Sequence, residues 1–160
     1  MSESIYIPKD TIKRLIIDIK EIKRNPLNSH NIYYYHDEEN ILKGYACIIG
    51  PKDTPYEDGY YIFELNFPTN YPHSPPKVVF LYDNSCKTRF NPNLYVSGKV
   101  CLSILNTWRG DAWNGCQTIS SLLLSICTIF NNKPLLNEPG VKETHGDFNK
   151  YNILITYKNY

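Results

Sequence analysis

The sequence predicts an α+β domain: a helix, a four-stranded antiparallel meander, a long irregular stretch and then two or three further helices. Three observations carry this reading. Ile12, Leu15, Ile16, Ile19 and Ile22 recur at the spacing of one helix face between Pro8 and Arg24. Tyr61, Phe63, Leu65 and Phe67 alternate with Tyr60, Ile62, Glu64 and Asn66, the period of a strand with one buried face. The Gly- and Pro-marked turns between the apolar runs leave no room for crossover helices, so neighbouring strands run antiparallel.

In order along the chain, Asn25-Pro26 closes the first helix, whose other face carries Lys13, Arg14, Lys20, Lys23 and Arg24. Strands are expected at Asn31 to His36, at Lys43 to Gly50 (closed by Gly50-Pro51), over the alternating run, and at Lys77 to Leu81. Tyr33, Tyr34 and Tyr35 read as strand packing. Tyr82 to Gln117 shows no periodicity, and an irregular stretch of that length inside a compact domain is usually functional. Ile119 to Phe130 is a strongly apolar helix with Thr118 as its N-cap. Asn131 to Gly140 is a Pro-punctuated loop, and Phe148 to Tyr160 a last helix with a polar side. Residues 1–160 read as one domain without internal repeats.

Composition narrows the classes. With 42% hydrophobic and 21% charged residues the chain is globular, and a net charge of +1 gives no sign of a nucleic-acid or membrane partner. No apolar run approaches the ~20 residues of a membrane span, and polar Met1 to Asp10 lacks the core of a signal peptide. The five cysteines, Cys47, Cys86, Cys101, Cys116 and Cys127, are odd in number and show no CxxC spacing, against both a disulfide framework and a zinc site. His30, His36, His73 and His145 show no pairing pattern, so neither a metal nor a cofactor is expected. Free thiols suit a reducing interior, cytoplasmic or nuclear.

Within the long stretch lie Asn91-Pro92-Asn93 and Gly98-Lys99-Val100-Cys101-Leu102. Cys101 follows a Gly-containing turn, where a thiol can be reached. At a pKa of ~8.5 a thiol is a few per cent thiolate at neutral pH, enough to attack an activated acyl group. Asn93 can offer a side-chain N–H to an oxyanion. Cys47 and Cys127, in an apolar strand and an apolar helix, read as buried small hydrophobes.

Five segments in one order resemble the ubiquitin-conjugating enzyme family: Gly50-Pro51 with Thr54-Pro55-Tyr56 and Gly59; Phe67 to Pro72 with Pro75-Pro76-Lys77-Val78; Asn91 to Tyr95; Gly98 to Leu105; and Trp113 with Thr118 to Cys127. The resemblance implies a catalytic-core fold matching the order above. It implies that Cys101 accepts ubiquitin, or a ubiquitin-like modifier, from an activating enzyme that alone uses ATP, and passes it to a lysine or a ligase. It makes Asn93 the oxyanion support. Glu138, in Glu138-Pro139, becomes the residue that orients or desolvates the incoming lysine, an amine that attacks only when unprotonated. The basic side of the first helix, with Lys13 and Arg14, resembles the surface shown to the activating enzyme; an ordinary solvated helix face reads equally well.

Three departures stand out. Asn91 replaces the family's His, in a role that is mainly structural, since an amide can also bond backbone groups. The loop from Trp108 to Trp113 is longer than in compact members, and Phe90 to Asn93 with Thr107-Trp108 and Asn137 to Gly140 resembles the conjugating domains of large hybrid conjugating-enzyme–ligase proteins such as apollon. The ligase-docking region, at His73, Pro75, Trp113, Asn114 and Cys116, lacks the usual aromatic after Tyr71-Pro72 and the usual Ser-Pro-Ala after Trp113, so the ligase is expected to be atypical. Trp108 and Trp113 fit either bracketing of the active-site loop or plain packing. Two rival functions remain: a ubiquitin-binding variant without catalysis, against which Cys101 stands in register, and a cysteine hydrolase, for which no motif surrounds Cys101.

Overall fold

A computed structural model describes residues 6–82 and 88–159; Cys86 lies outside them. Helix α1 (Lys9–Arg24) begins after Pro8, whose carbonyl accepts the Ile12 amide at 3.1 Å. Asp10 in the first turn and Lys23 and Arg24 in the last suit the helix dipole. The buried face is not the isoleucine stripe that the spacing suggests. It is Thr11, Leu15, Asp18 and Ile22, while Ile16 is 39% exposed. The face is rotated because Asp18 has partners in the interior. Arg14 Nε donates to its Oδ1 at 3.0 Å and the Tyr71 hydroxyl donates to its Oδ2. A buried carboxylate survives only when so paired.

The sheet is the meander β1 (Ile32–His36), β2 (Lys43–Ile49), β3 (Tyr60–Asn66) and β4 (Lys77–Leu81), every neighbour antiparallel. Tyr34, Ala46, Phe63 and Phe80 stand in one cross-strand row on the inner face. Ile32, Ile48, Tyr61, Leu65 and Val78 join Ala46, Phe63 and Phe80 in the core. Of the three tyrosines expected to pack, only Tyr34 turns inward. The two-residue period of the strand sends Tyr33 and Tyr35 to the outer face beside Ile62 and Leu81. At the turn into β3, Gly50 approaches the backbone so closely that a Cβ would overlap the Tyr56 carbonyl.

α2 (Ile119–Cys127) buries Ile119, Leu122, Leu123 and Ile126 and packs beside α1. Thr118 caps it: its side chain accepts from the Ser121 amide while Ser121 Oγ accepts from the Thr118 amide. The helix stops three residues short of the expected Phe130, because Ile129 and Phe130 bond three residues back, to Ile126 and Cys127. That tightening releases the Ile129 carbonyl for side-chain partners. α3 (Phe148–Asn159) buries Ile155. Asn159 Nδ2 donates to the Glu57 carbonyl at 2.8 Å, and its Oδ1 accepts from the Tyr61 hydroxyl at 2.6 Å. Among the described residues no helix is long and apolar enough to cross a membrane.

The Asp18 node makes a prediction. Arg14→Ala removes the cation from a carboxylate that is 3% exposed, and is expected to cost about 3 kcal/mol in urea unfolding. Lys13→Ala, one residue away with a side chain 75% exposed, is expected to stay within about 0.5 kcal/mol. Equal effects would show that Asp18 does not depend on Arg14.

Candidate active site

The stretch around Cys101 has almost no regular ladder, so its backbone groups find side-chain partners. Asn91 is fully buried and uses its whole amide. Its Nδ2 donates to the Tyr56 hydroxyl and to the Ile129 carbonyl, each at 2.8 Å. Its Oδ1 accepts from the Asn93 amide at 2.9 Å and from Asn137 Nδ2 at 3.3 Å. Tyr56 in turn donates to the Phe90 carbonyl at 2.7 Å. Burial pushes this phenol far above its ordinary range, so it stays neutral and serves as donor and acceptor at once.

Asn93 clasps Cys101 from two sides. Its Nδ2 donates to the Cys101 carbonyl at 2.6 Å, and its own carbonyl accepts the Cys101 amide at 2.9 Å. Its buried Oδ1 finds no hydrogen-bond partner among the described residues. Thr107 closes the other flank: Oγ1 donates to the Val100 carbonyl at 2.9 Å and accepts the Leu102 amide at 2.9 Å. The expectation of an open thiol needs correction, because Cys101 is only 3% exposed. Cys47 and Cys127 are partly buried and burial raises both thiols, which makes each a weaker nucleophile. Cys116 is exposed.

Gly98 holds the approach to Cys101. Its φ is +81°, and a Cβ there would lie 2.9 Å from Val79 Cγ1 and 3.0 Å from the Phe80 carbonyl. Its carbonyl accepts the Phe80 amide at 2.8 Å and so straps the segment to β4. Beside that strap a cavity of about 650 Å³ is lined by Pro75, Val79, Lys99, Val100, Leu105 and Thr107.

Glu138 follows a 3-10 turn (Pro134–Asn137) and is partly exposed. It meets the site through two neighbours. Asn137 reaches Asn91, and Arg89 Nη2 lies 3.6 Å from the Glu138 carboxylate while also donating to the Pro92 carbonyl.

A sequence profile described as ubiquitin-conjugating enzyme matches residues 14–154. The chain belongs to the ubiquitin-conjugating enzyme family. It is 42% identical to human Ubiquitin-conjugating enzyme E2 Z over 147 residues, which cover 91% of this chain and 41% of that protein. The zebrafish (Danio rerio) E2 Z is also 42% identical, over 92% of this chain and 45% of that protein. The human Dual E2 ubiquitin-conjugating enzyme/E3 ubiquitin-protein ligase BIRC6 is 44% identical over 125 residues, 74% of this chain and 3% of that protein. The chain thus spans less than half the length of these relatives. The solved human Ubiquitin-conjugating enzyme E2 G1 superposes with a TM-score of 0.65 at 27% identity, over 79% of this chain and 98% of that one.

Of the site residues expected in this member of the ubiquitin-conjugating enzyme family, the fold joins Asn91, Asn93 and Cys101 directly. Lys13, His73, Asn114 and Cys116 are at the surface. Pro75 lines the cavity beside the Cys101 strap. Two residues expected at a partner surface are built inward instead. Arg14 bonds Asp18 and the carbonyls of Gly115 and Gln117 at 2.6 and 2.5 Å, and sits over the Tyr71 ring. Trp113 is 8% exposed, its Nε1 donating to the Pro72 carbonyl at 2.7 Å. Sequence reasoning missed Tyr56, Arg89, Thr107 and Asn137. Tyr56, Thr107 and Asn137 did stand inside segments that carry the resemblance, though with no role attached; Arg89 carried no signal beyond its place in a loop.

Asn91 yields the second prediction. Asn91→Asp keeps shape but turns an acceptor toward the Ile129 carbonyl, and Asn91→Ala strands the Asn93 amide and leaves the Ile129 carbonyl to Asn137 without its shorter bond. Each is expected to lower stability by about 2–4 kcal/mol. Thermal unfolding checks this; an Asp variant as stable as wild type would contradict the donor role.

Proposed function

We propose that this chain is the catalytic core of a ubiquitin-conjugating enzyme and carries ubiquitin, or a ubiquitin-like modifier, as a thioester on Cys101. The observation that carries the reading is the double clasp of Asn93 on Cys101 within a chain of this family. In charging, Cys101 Sγ attacks the modifier's C-terminal carbonyl, already a thioester on the activating enzyme. The new C–S bond forms and the old one breaks, the electron pair leaving with the activating enzyme's sulfur. In discharge a neutral lysine Nζ attacks the same carbon, the C–N bond forms, Cys101 leaves with the C–S electron pair as thiolate, and the proton shed by the nitrogen passes to solvent or to that thiolate. ATP is spent by the activating enzyme, and this chain needs no cofactor.

Asn93 serves the second step. Its Nδ2 bonds the Cys101 carbonyl in the resting protein, and the amide's second N–H is the one it offers to charge developing on the thioester oxygen. Glu138 receives the lysine and Asn91 acts structurally. The near-complete cover of Cys101 suits a thiol approached by a seated partner rather than by bulk nucleophiles. For the activating enzyme, Lys13 is the available cation on this part of α1, since Arg14 is engaged within the protein. The ligase is atypical: His73, Asn114 and Cys116 put polar groups where common RING ligases of the family grip an apolar patch, with Trp113 as its floor. The reducing cytoplasm or nucleus suits a reactive thiol.

Incubation with activating enzyme, ATP and ubiquitin, followed by gels with and without reductant, is expected to give a reductant-sensitive adduct. Cys101→Ser is expected to give an adduct that survives reductant, and Asn93→Ala to charge normally but discharge to free lysine ~10²–10³-fold more slowly. Normal charging of Cys101→Ala would sink the assignment, no wild-type adduct would favour the ubiquitin-binding variant, and cleavage of conjugates would favour the hydrolase. For the ligase, a buried polar group without a partner costs about 1–3 kcal/mol, or roughly 5- to 150-fold in affinity. A panel of ordinary RING domains is therefore expected to stimulate discharge barely at all; strong stimulation by several unrelated ones would contradict the docking argument.

A further inference from the structure

Arg89 is the residue around which the Glu138 side of the site is assembled. Its guanidinium carbon sits 4.2 Å from the centre of the Tyr95 ring, and Nη2 donates to the Pro92 carbonyl between Asn91 and Asn93. The same Nη2 lies 3.6 Å from Glu138 Oε2. Its own carbonyl accepts the Tyr151 hydroxyl of α3 at 2.8 Å. One side chain thus touches the Asn91–Asn93 segment, the Tyr95 turn and the Glu138 turn, while its backbone is fixed by the last helix.

Glu138 stands on a short turn with its carboxylate 43% exposed. Left to itself, a glutamate in such a place samples many rotamers, and freezing one costs entropy at the moment a lysine arrives. A planar guanidinium stacked on an aromatic ring is already ordered, in a way that a lysine ammonium is not, and its Nη2 faces the Pro92 carbonyl and the Glu138 carboxylate together. We propose that Arg89 is a positioning residue for discharge: it fixes the Glu138 carboxylate against the Asn91–Asn93 segment before the acceptor amine arrives. This rests on the reading of Cys101 as the thioester carrier and of Glu138 as the residue that meets the acceptor. Arg89 does not touch the reacting atoms; in discharge the C–N bond forms and the C–S bond breaks as above, and Arg89 acts only through Glu138.

The test is a double-mutant cycle read on thioester discharge. Wild type, Arg89→Ala, Arg89→Lys, Glu138→Gln and Arg89→Ala with Glu138→Gln are charged with ubiquitin by activating enzyme and ATP. They are then chased with free lysine over a range of concentrations. Arg89→Ala is expected to charge at the wild-type rate but to discharge roughly 5- to 20-fold more slowly, a fraction of the hundredfold that a misplaced group can cost. Arg89→Lys, which keeps a cation but not the plane stacked on Tyr95, is expected to fall between. The double variant is expected to discharge no more slowly than Glu138→Gln alone.

The same fold loss for Arg89→Ala in both backgrounds would overturn the proposal, as would no loss, or a parallel slowing of charging that marks a damaged loop. If Arg89→Ala fails to fold in thermal unfolding, Arg89→Lys takes its place in the cycle and the same comparison decides. Wild-type protein that never charges would refute the functional reading itself; normal charging without coupling between Arg89 and Glu138 would refute this inference alone.

Discussion

The amide of Asn91 is the constraint on which the active-site half of the molecule depends. Four hydrogen bonds converge on a side chain with no access to water, and they come from different parts of the chain. The end of α2, the aromatic Tyr56, the Asn93 backbone and the 134–137 turn are all located by one residue. Leaving any of those groups without a partner in the interior costs about 1–3 kcal/mol, so each holds the others in place. The turn that follows α2 belongs to the same arrangement, because the Ile129 carbonyl lies past the end of the helix and takes Asn91 and Asn137 as its partners. Irregular backbone around Cys101 is stable here because its polar groups are met by amides and hydroxyls, where a sheet would use a ladder.

Stability and chemistry are assigned to different kinds of electrostatic contact. Arg14, Asp18 and Tyr71 form a buried node, with the cation also tied to two backbone carbonyls, and its components have little freedom. Arg89 and Glu138 form a longer, half-open pair. Water and salt screen such a pair, so it adds little to folding. A weak contact is also one that an incoming ammonium can rearrange. The strongly desolvated ion pair lies under the α1 surface, and the loose one stands beside the Asn91–Asn93 segment.

Local pattern carried most of the fold. A two-residue period located β3, the Gly and Pro turns implied antiparallel pairing, and Thr118 marked the start of α2, because each signal lies within a few residues of the element it specifies. The rotation of α1 was not legible: Asp18 is buried by Tyr71, 53 positions away, and no helical periodicity contains that fact. Arg14 and Lys13 are neighbours with the same charge, and the Asp18 carboxylate with the carbonyls of Gly115 and Gln117 separates the anchored one from the exposed one. Cys101, Asn93 and Asn91 could be picked out from the order of their segments. Thr107, Asn137 and Arg89 could not, since their roles exist only once distant loops are folded together. The low exposure of Cys101 was hidden for the same reason, because its cover comes from the Asn93 and Thr107 bonds on either side.

Gly98 has a bearing on how this loop can diverge over time. Two independent conditions meet at one position: a left-handed backbone, and a space already filled by Val79 and the Phe80 carbonyl. Trimming Val79 would relieve the crowding and leave the backbone angle forbidden to a bulky residue, so no single second-site change opens the position to drift. Past Asn106 and Thr107, whose side chains are engaged, the stretch from Trp108 to Ala112 faces solvent throughout. Descendants of this sequence that acquire new partners therefore have their freedom after Cys101, in a segment that can lengthen or change charge, while the strap before it stays nearly as invariant as the thiol for reasons that are steric and not chemical.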